Sequence, residues 1–316
     1  MKILANDGIS NNGVKELEAG GFEVITVTVA QEQLESFINK ESITVLLVRS
    51  ATKVRKDLID SCPSLKIIGR GGVGMDNIDV KYARDKGLHV INTPCASSES
   101  VAELVFAHLF SGVRFLYDSN RNMPLDGDSK FKVLKKAYSK GTELRGKTLG
   151  IIGFGRIGQA SAKIGIGLGM KVIAFDPFLE KVSIKVPFFD GKSLDFDINI
   201  QSKESVLKEA DFITLHVPAQ KEFVIGSNEI ELMKDGAGLV NAARGGVVDE
   251  VALVNALKSG KLSFAGVDTF ENEPTPSVQV LMTNNISLSP HIGAATTQAQ
   301  KRIGSELATQ IIKILK

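Results

Sequence analysis

Short apolar runs alternate with helical patterns along most of this chain, and this alternation constrains the fold more than any other feature. In the first hundred residues the apolar runs are KILA, FEVITV, ITVLLVRS, LKIIGR and LHVIN, at residues 2–5, 22–27, 43–50, 65–70 and 88–92. Segments with helical spacing and glycine or proline stops separate them. Such alternation favours parallel strands joined by crossover helices.

The alternation begins again at residue 147. The later strands are predicted as TLGII, KVIAF, DFITLHV, AGLVNAAR, LSFAGVDTF and ISLSPH, at residues 148–152, 171–175, 211–217, 237–244, 262–270 and 286–291. One long helix is predicted over 97–120, followed by a basic, irregular segment over 121–141. Residues 183–199 fit neither period and predict an inserted loop or hairpin. The fold class is therefore α/β, with two doubly wound parallel-sheet domains, for which 316 residues are sufficient.

The last 24 residues, 293–316, carry one apolar helix stripe. Ile303, Leu307, Ile311 and Leu315 recur at four-residue steps. Such a stripe needs a partner surface, and we expect the terminal helix to fold back on the first domain.

Composition excludes several classes of function. With 38 basic and 36 acidic residues the net charge is +2, which favours neither nucleic-acid nor membrane-surface binding. Two cysteines, Cys62 and Cys95, cannot form a disulfide framework, and no Cys/His spacing resembles a metal site. The N-terminus has no apolar signal core, so the cytoplasm is the expected location.

A glycine-rich turn follows the strand at 148–152. Gly153, Gly155 and Gly158 form G-x-G-x-x-G directly before a helical pattern, and Asp176 ends the next strand. The glycines permit close approach of a pyrophosphate to the helix N-terminus, and the aspartate would bind the adenine ribose hydroxyls. Because Asp176 would repel a 2′-phosphate, NAD is favoured over NADP. An ordinary glycine-rich turn with a solvated aspartate is the less favoured alternative.

A second glycine cluster lies at 69–79, where a strand of the first domain ends. The backbone N–H groups of Gly72, Val73 and Gly74 could bind an anion, although a structural turn is an equal alternative. Arg49 and Ser50 lie at the end of the apolar run at 43–50, and Lys53 follows it. Strand ends share one rim in a doubly wound sheet, so these features predict an acidic substrate with more than one anionic group.

Three titratable residues lie at later strand ends: Arg244, Glu273 and His291. Each has an ordinary explanation, since Arg244 could pair with Asp249 or Glu250, Glu273 could be a solvated turn acid, and His291 could cap a helix. Together they provide a cation for a carboxylate, an acid–base imidazole and a carboxylate to orient it.

Two further histidines are interpreted as structural. His216 ends a strand without an apparent partner, and His108 falls inside the predicted long helix, where a core or surface role is expected.

The segments LGIIGFGRIG, NAARGGVVDE, GVDTFENEP and SPHIGAAT together resemble the D-isomer-specific 2-hydroxyacid dehydrogenase family, in order and over nearly the whole chain. Within that family VRSATKV, GRGGVGMDNID and NTPCASSESVAEL are most similar to the phosphoglycerate dehydrogenases. The resemblance implies a flavodoxin-like substrate-binding domain, residues 1–96 and 293–316, around an inserted Rossmann NAD-binding domain, residues 97–292.

The resemblance also implies an activity: hydride transfer between NAD and a small D-2-hydroxy acid, with D-3-phosphoglycerate oxidised to 3-phosphohydroxypyruvate in the first step of serine biosynthesis. Arg244, Glu273 and His291 occupy the family's catalytic positions, and Arg49 with Lys53 would meet the phosphate. Further cofactor contacts are implied for Arg156, Ile157, Asp176, Val217, Ala243, Asp268 and Gly293. Val73 stands where relatives often have threonine, so only its backbone contact carries over.

The family implies a homodimer formed through the NAD-binding domains, with residues 97–141 near the interface. Only 25 residues follow His291 (316 − 291 = 25). Since this is too short for the serine-sensing domain of many phosphoglycerate dehydrogenases, feedback inhibition through such a domain is not expected.

Four other functions are considered. A glyoxylate or hydroxypyruvate reductase of the same family is the nearest alternative, and Arg49 and Lys53 argue mildly against it. Formate dehydrogenases carry glutamine where Glu273 stands. A non-catalytic NAD-sensing corepressor shares the fold but usually adds recruitment tails. An NAD-containing hydrolase would need a cysteine or a lysine-rich adenosine site, which the sequence lacks.

Overall fold

Two separate parallel sheets organise the chain. A computed structural model describes every residue from Met1 to Lys316 and divides the chain into two compact units. The first unit comprises residues 1–100 and 294–316, and the second comprises residues 101–293.

The first unit contains a five-stranded parallel sheet in the order β2-β1-β3-β4-β5. Its strands are β1 (Lys2–Ala5), β2 (Glu23–Ile25), β3 (Ile43–Val48), β4 (Ile67–Arg70) and β5 (His89–Asn92). The intervening helices are α1 (Asn11–Ala19), α2 (Leu34–Glu41), α3 (Lys56–Ser61) and α4 (Val80–Asp85). This is the flavodoxin-like strand order, in which ligands bind beyond the carboxyl ends of the strands.

Three helices precede the second sheet: α5 (Ser98–Val113), α6 (Leu116–Asp126) and α7 (Phe131–Ala137). The prediction of one helix over 97–120 was therefore wrong, and so was that of an irregular segment over 121–141. The carbonyl of Val113, which a continuous helix would use internally, accepts a hydrogen bond from the Thr142 N–H at 2.9 Å. Phe115 then takes a left-handed conformation, φ +56°. Tertiary contacts thus end the helix where the apolar period alone would continue it.

The second unit contains a six-stranded parallel sheet in the order β13-β12-β11-β10-β6-β7. Its strands are β6 (Thr148–Ile152), β7 (Lys171–Phe175), β10 (Phe212–Leu215), β11 (Ala237–Asn241), β12 (Leu262–Val267) and β13 (Ile286–Leu288). The helices are α8 (Arg156–Gly167), α9 (Lys203–Glu209), α10 (Ser227–Leu232), α11 (Glu250–Ser259) and α12 (Val278–Leu281). The two parallel sheets confirm the predicted α/β fold class.

Residues 181–199 form an antiparallel hairpin of β8 (Lys181–Pro187) and β9 (Ser193–Asn199), which confirms that the segment around 183–199 is inserted as a hairpin. The usual dinucleotide-binding order has another full strand beyond β7. Here that edge carries only a single bridge, between Ala174 and Ile200. The hairpin buries Ile184, Val186 and Ile198 in the core, so it forms part of the second unit's packing.

The chain ends in α13 (Thr297–Leu315), which packs on the first unit as expected. Ile303, Leu307 and Ile311 are buried in one cluster with Leu17 of α1. No helix combines the length and the apolar character that crossing a membrane requires.

Candidate active site

The glycine turn after β6 leaves room for a dinucleotide. Gly153 has φ +91°, and a Cβ on it would collide with the His216 carbonyl oxygen. A Cβ on Gly158 would collide with the Gly153 carbonyl oxygen, whereas a Cβ on Gly155 would meet no atom within 4 Å. The outer two glycines therefore permit the tight turn, and the middle one leaves open space at the N-terminus of α8. That space fits the pyrophosphate of NAD.

Asp176 is bound to this turn. Its Oδ2 accepts a hydrogen bond from the Phe154 N–H at 2.8 Å, and its Oδ1 accepts one from the Phe178 N–H at 2.9 Å. The carboxylate thus lies beside the glycine loop, where an adenine ribose would need acceptors for its hydroxyls.

Replacing Asp176 with serine is expected to lower the ratio of NADH to NADPH affinity by about 10–100-fold. The substitution removes charge-assisted ribose contacts and the repulsion of a 2′-phosphate. Fluorescence titration with both cofactors measures the ratio, and Asp190→Ser, on the exposed turn of the hairpin, is the control for loss of one charge. Equal losses for both cofactors would show that Asp176 only anchors the glycine loop.

The other predicted cofactor residues also lie at the carboxyl edge of the second sheet. Arg156 and Ile157 begin α8, Val217 lies just beyond β10, and Ala243 lies just beyond β11. Asp268 directly follows β12. It is 1% exposed, and its carboxylate accepts the Ile292 and Gly293 N–H groups.

His216 is enclosed beneath the glycine turn. Its Nε2 lies 3.0 Å from Ser161 Oγ and 3.2 Å from Thr214 Oγ1. Its Nδ1 is buried without a protein partner. Burial lowers the pKa of His216 to about 3, so the ring is neutral at neutral pH. These contacts agree with the structural role predicted for it.

A buried neutral histidine makes stability depend on pH. Unfolding returns the pKa of His216 from about 3 to about 6.5, so below pH 6.5 the unfolded chain binds one proton more than the folded chain. The free energy of unfolding should therefore fall by about 2 kcal/mol between pH 7 and pH 5. Urea unfolding of the wild type and of His216→Gln at both pH values tests this, because the variant should lack that loss. The exposed His89→Gln is the control. Equal pH dependence in all three proteins would contradict the assignment.

The turn that carries Arg244 is fixed by a residue the sequence did not single out. Asn241, 5% exposed, accepts the Ala243 N–H on Oδ1 at 3.1 Å and donates from Nδ2 to the Arg244 carbonyl at 3.0 Å. A lone asparagine at the end of an apolar strand was the available signal. Asn241 therefore holds the backbone on both sides of the arginine.

The two glycines after Arg244 are required for different reasons. A Cβ on Gly245 would collide with the Phe270 carbonyl oxygen, and Gly246 has φ +77°. Together they let the chain turn sharply against the loop that follows β12.

The two acids considered as partners of Arg244 make backbone contacts elsewhere. Asp249 Oδ1 accepts the Val251 and Ala252 N–H groups and caps α11. Glu250 Oε1 accepts the Glu271 N–H at 2.9 Å. The Nη1 of Arg244 itself donates to the Ala243 carbonyl at 2.6 Å.

His291 and Glu273 form a hydrogen-bonded pair. The Nδ1 of His291 lies 2.8 Å from Glu273 Oε2, and both side chains are about one-third exposed. The other carboxylate oxygen, Oε1, accepts the Phe270 N–H at 3.0 Å. His291 has φ +53°, which costs about 1–3 kcal/mol for a residue other than glycine. Surrounding contacts must therefore hold it in place.

Strand order brings these three residues to one end of the sheet edge. Arg244, Glu273 and His291 follow β11, β12 and β13, which are adjacent, whereas Asp176 follows β7 at the opposite side. Four strand spacings of about 4.8 Å separate β7 from β12, or about 19 Å. An extended dinucleotide with its adenosine at Asp176 would run along this edge toward His291.

In the first unit, the predicted substrate residues follow the adjacent strands β3 and β4. Asp7 supports the first loop, because its Oδ2 accepts the Arg49 N–H at 2.6 Å and the Thr52 N–H at 3.1 Å. Lys53 is held through its backbone by the Gln31 side chain. Ser50 is exposed in the same loop.

The second loop differs in one detail from the sequence prediction. The Gly72 N–H donates to the Arg70 carbonyl at 2.9 Å, so it is used within the turn. This leaves Val73 and Gly74 as the amides of this loop proposed to face an anion.

Comparison with known proteins shows the family to which this chain is similar. Residues 106–293 match the family model of the D-isomer-specific 2-hydroxyacid dehydrogenase NAD-binding domain. The chain is 42% identical to hydroxypyruvate reductase of Thermotoga maritima, covering 99% of this chain and 98% of that one. The chain belongs to the D-isomer-specific 2-hydroxyacid dehydrogenase family. Its second unit therefore carries the NAD-binding domain of that family.

Other members of the family differ in substrate and length. The chain is 43% identical to D-3-phosphoglycerate dehydrogenase of Methanocaldococcus jannaschii, covering 100% of this chain and 58% of that protein's length. It thus spans little more than half of that relative. A crystal structure of Aquifex aeolicus D-lactate dehydrogenase, in complex with NAD and lactic acid, matches with a TM-score of 0.76 at 29% identity. That match covers 100% of this chain and 95% of the other.

Proposed function

We propose that this chain catalyses reversible hydride transfer between NAD and a small D-2-hydroxy acid. The observation that carries the proposal is the His291–Glu273 pair, with Nδ1 and Oε2 2.8 Å apart, on the same sheet edge as the glycine turn of an NAD-binding domain.

The hydrogen bond to Glu273 defines the tautomer of a neutral His291 imidazole. An ionised carboxylate only accepts hydrogen bonds, so the proton of a neutral His291 lies on Nδ1 and Nε2 is left as a base. During oxidation Nε2 takes the proton of the substrate hydroxyl, and during reduction it returns that proton to the C2 oxygen. NAD, when bound, accepts or supplies the hydride.

Arg244 binds the substrate carboxylate and the C2 oxygen. Its planar guanidinium can donate two parallel hydrogen bonds, which a lysine cannot do. The contacts of Asn241 with the flanking backbone support this orientation.

The substrate within this class is D-3-phosphoglycerate, oxidised to 3-phosphohydroxypyruvate. Arg49 and Lys53 supply charge for a phosphate at the rim of the first sheet, with Ser50 and the amides of Val73 and Gly74 as further donors. The similarity to a D-3-phosphoglycerate dehydrogenase over the whole of this chain supports the same substrate.

A matched pair of substrates tests whether the enzyme prefers an acid that carries a phosphate. The kcat/KM for reduction of 3-phosphohydroxypyruvate and of hydroxypyruvate is compared, because the two differ only in the phosphoryl group. Oxidation of D-3-phosphoglycerate is measured beside D-glycerate and D-lactate, with hydrazine to trap the product. The phosphorylated acids should be preferred by at least tenfold. Equal or reversed preference would contradict the assignment.

A pair of variants then tests whether Arg49 is responsible for the preference for the phosphorylated acid. Arg49→Gln should lower kcat/KM for the phosphorylated acid by about 10–100-fold, the value of one charge-assisted contact, and leave hydroxypyruvate within threefold. Arg55→Gln removes the same charge from the same unit, at a residue paired with Asp79, and should change neither value. Equal losses on both substrates with Arg49→Gln would remove Arg49 from the phosphate site.

Hydroxypyruvate or glyoxylate reduction is the second candidate. The 42% identity to hydroxypyruvate reductase over nearly the full length of both chains favours it. Activity on unphosphorylated acids alone would select this candidate and retain Arg244, Glu273 and His291. Tight NAD binding without turnover of any acid would instead indicate a sensor.

The protein is further proposed to be a homodimer through α6 and α7. Leu125, Phe131 and Val133 expose 77%, 55% and 64% of their surface there, and a second copy would cover these side chains. Sedimentation should give twice the mass of one chain, and Leu125→Glu with Val133→Glu should give one chain mass. A monomeric wild type would contradict this proposal.

A further inference from the structure

A line of hydrogen-bonded polar side chains runs from α5 to the loop that carries His291. His108 lies in α5 and is 3% exposed. Its Nε2 is 2.9 Å from Ser289 Oγ, and its Nδ1 is 2.9 Å from Ser287 Oγ. The Ser289 hydroxyl donates to Asp268 Oδ1 at 2.6 Å. His108 is therefore neither an isolated core side chain nor a surface one.

Asp268 binds three consecutive backbone amides. Its carbonyl accepts the His291 N–H at 2.8 Å, its Oδ1 the Ile292 N–H at 2.8 Å, and its Oδ2 the Gly293 N–H at 2.9 Å. His291 is the residue with φ +53°. These contacts hold His291 in a conformation that its own side chain disfavours.

The donor and the acceptor of each hydrogen bond between His108, Ser289 and Asp268 can be assigned. The Asp268 carboxylate only accepts, so the Ser289 hydroxyl proton points to it, and the Ser289 oxygen accepts the proton on His108 Nε2. Burial lowers the pKa of His108, against an opposing effect of the Asp268 charge. The ring is accordingly neutral with its proton on Nε2.

The packing around His108 leaves little freedom. A Cβ on Gly266 of β12 would lie 2.5 Å from the His108 Cβ, so α5 lies directly on the strand that leads to Asp268. The ring therefore has a fixed position from which to orient Ser289.

We propose that His108 and Ser289 are positioning residues, which act through Asp268 to hold the backbone of His291 so that its imidazole meets Glu273 and the substrate. The proposal rests on the proposed function of His291. Neither residue is placed against substrate or cofactor. A small displacement of an acid–base group lowers the rate of the chemical step far more than it lowers binding. The effect should thus appear in kcat.

Two matched substitutions at Ser289 provide the first test. Ser289→Ala removes the hydroxyl and should lower kcat about tenfold, with KM for NADH within twofold of the wild type. Ser289→Thr keeps the hydroxyl and should restore kcat to within threefold. If Ser289→Ala keeps the wild-type kcat, or if threonine is as impaired as alanine, the proposal is overturned.

A second pair tests the link to His108. His108→Leu removes both ring nitrogens and should lower kcat, whereas His108→Gln can place an amide donor where Nε2 lies and should lose less kcat than His108→Leu. Since His108 acts through Ser289, the double variant His108→Leu/Ser289→Ala should lose no more kcat than the larger of the two single losses. Multiplication of the two losses would show that the residues act independently and would overturn the proposed line.

Hydrogen exchange separates this proposal from the proposed function. The amides of His291, Ile292 and Gly293 should exchange at least tenfold faster in Ser289→Ala than in the wild type, and Ser289→Thr should retain protection. This readout needs no substrate. If the wild type turns over no 2-hydroxy acid, the function fails while the exchange result still decides the positioning role. Unchanged exchange in the alanine variant would overturn it.

Discussion

Replacing His291 with alanine is expected to lower kcat for 2-hydroxy acid oxidation by about 10²–10⁴-fold, the usual contribution of general acid–base catalysis. Without Nε2 at this position the substrate hydroxyl has no base, and water is a poor substitute. The Kd of NADH should stay within twofold, because the glycine turn and Asp176 lie at the other side of the sheet edge. Steady-state kinetics and fluorescence titration measure the two quantities.

Glu273→Gln is the informative companion to that variant. Glutamine can still accept the His291 Nδ1–H through its carbonyl oxygen but carries no charge, so the geometry at 2.8 Å can be kept while the imidazolium loses its electrostatic support. The expected loss in kcat is smaller than for His291→Ala, about 10-fold.

The outcome that contradicts the base assignment is specific. A His291→Ala variant that retains the wild-type kcat would place the catalytic base elsewhere. A collapse of NADH affinity in the same variant would instead indicate that His291 supports the cofactor.

The strand series could be predicted because parallel strands are buried on both faces and read as continuous apolar runs. Even the short β1 was located at residues 2–5. The positions of the residues proposed as catalytic could be predicted for a related reason. Each follows a strand, and the carboxyl ends of adjacent parallel strands meet at one edge. That rule and the strand order place Glu273 and His291 at neighbouring strand ends, whereas the hydrogen bond between them also depends on the loop contacts that hold His291.

The features that could not be predicted depend on contacts distant in sequence. The helix ends after Val113, whose carbonyl accepts the Thr142 N–H. No local pattern in an apolar helix predicts this end. The hairpin strands did carry a signal, since Val182, Ile184 and Val186 alternate with exposed residues. That alternation is typical of an antiparallel strand, whereas the surrounding strands are parallel. The role of His108 depends on Ser287 and Ser289, about 180 residues away.

Arg244→Lys is expected to lower kcat/KM for the 2-hydroxy acid by about 10²–10⁴-fold, while the Kd of NADH stays within twofold. Lysine keeps the charge but cannot donate two parallel hydrogen bonds to the carboxylate and the C2 oxygen, and each charge-assisted contact contributes about 1.5–3 kcal/mol. Arg145→Lys makes the same substitution at an exposed residue of the second unit and should change neither quantity. An equal rise in the Kd of NADH would assign Arg244 to the cofactor. The turn itself, held by Asn241 and by the close approach of Gly245 to Phe270, should be unaffected by a change at the side chain. A loss confined to kcat/KM for the acid is therefore the expected signature of an arginine that binds substrate.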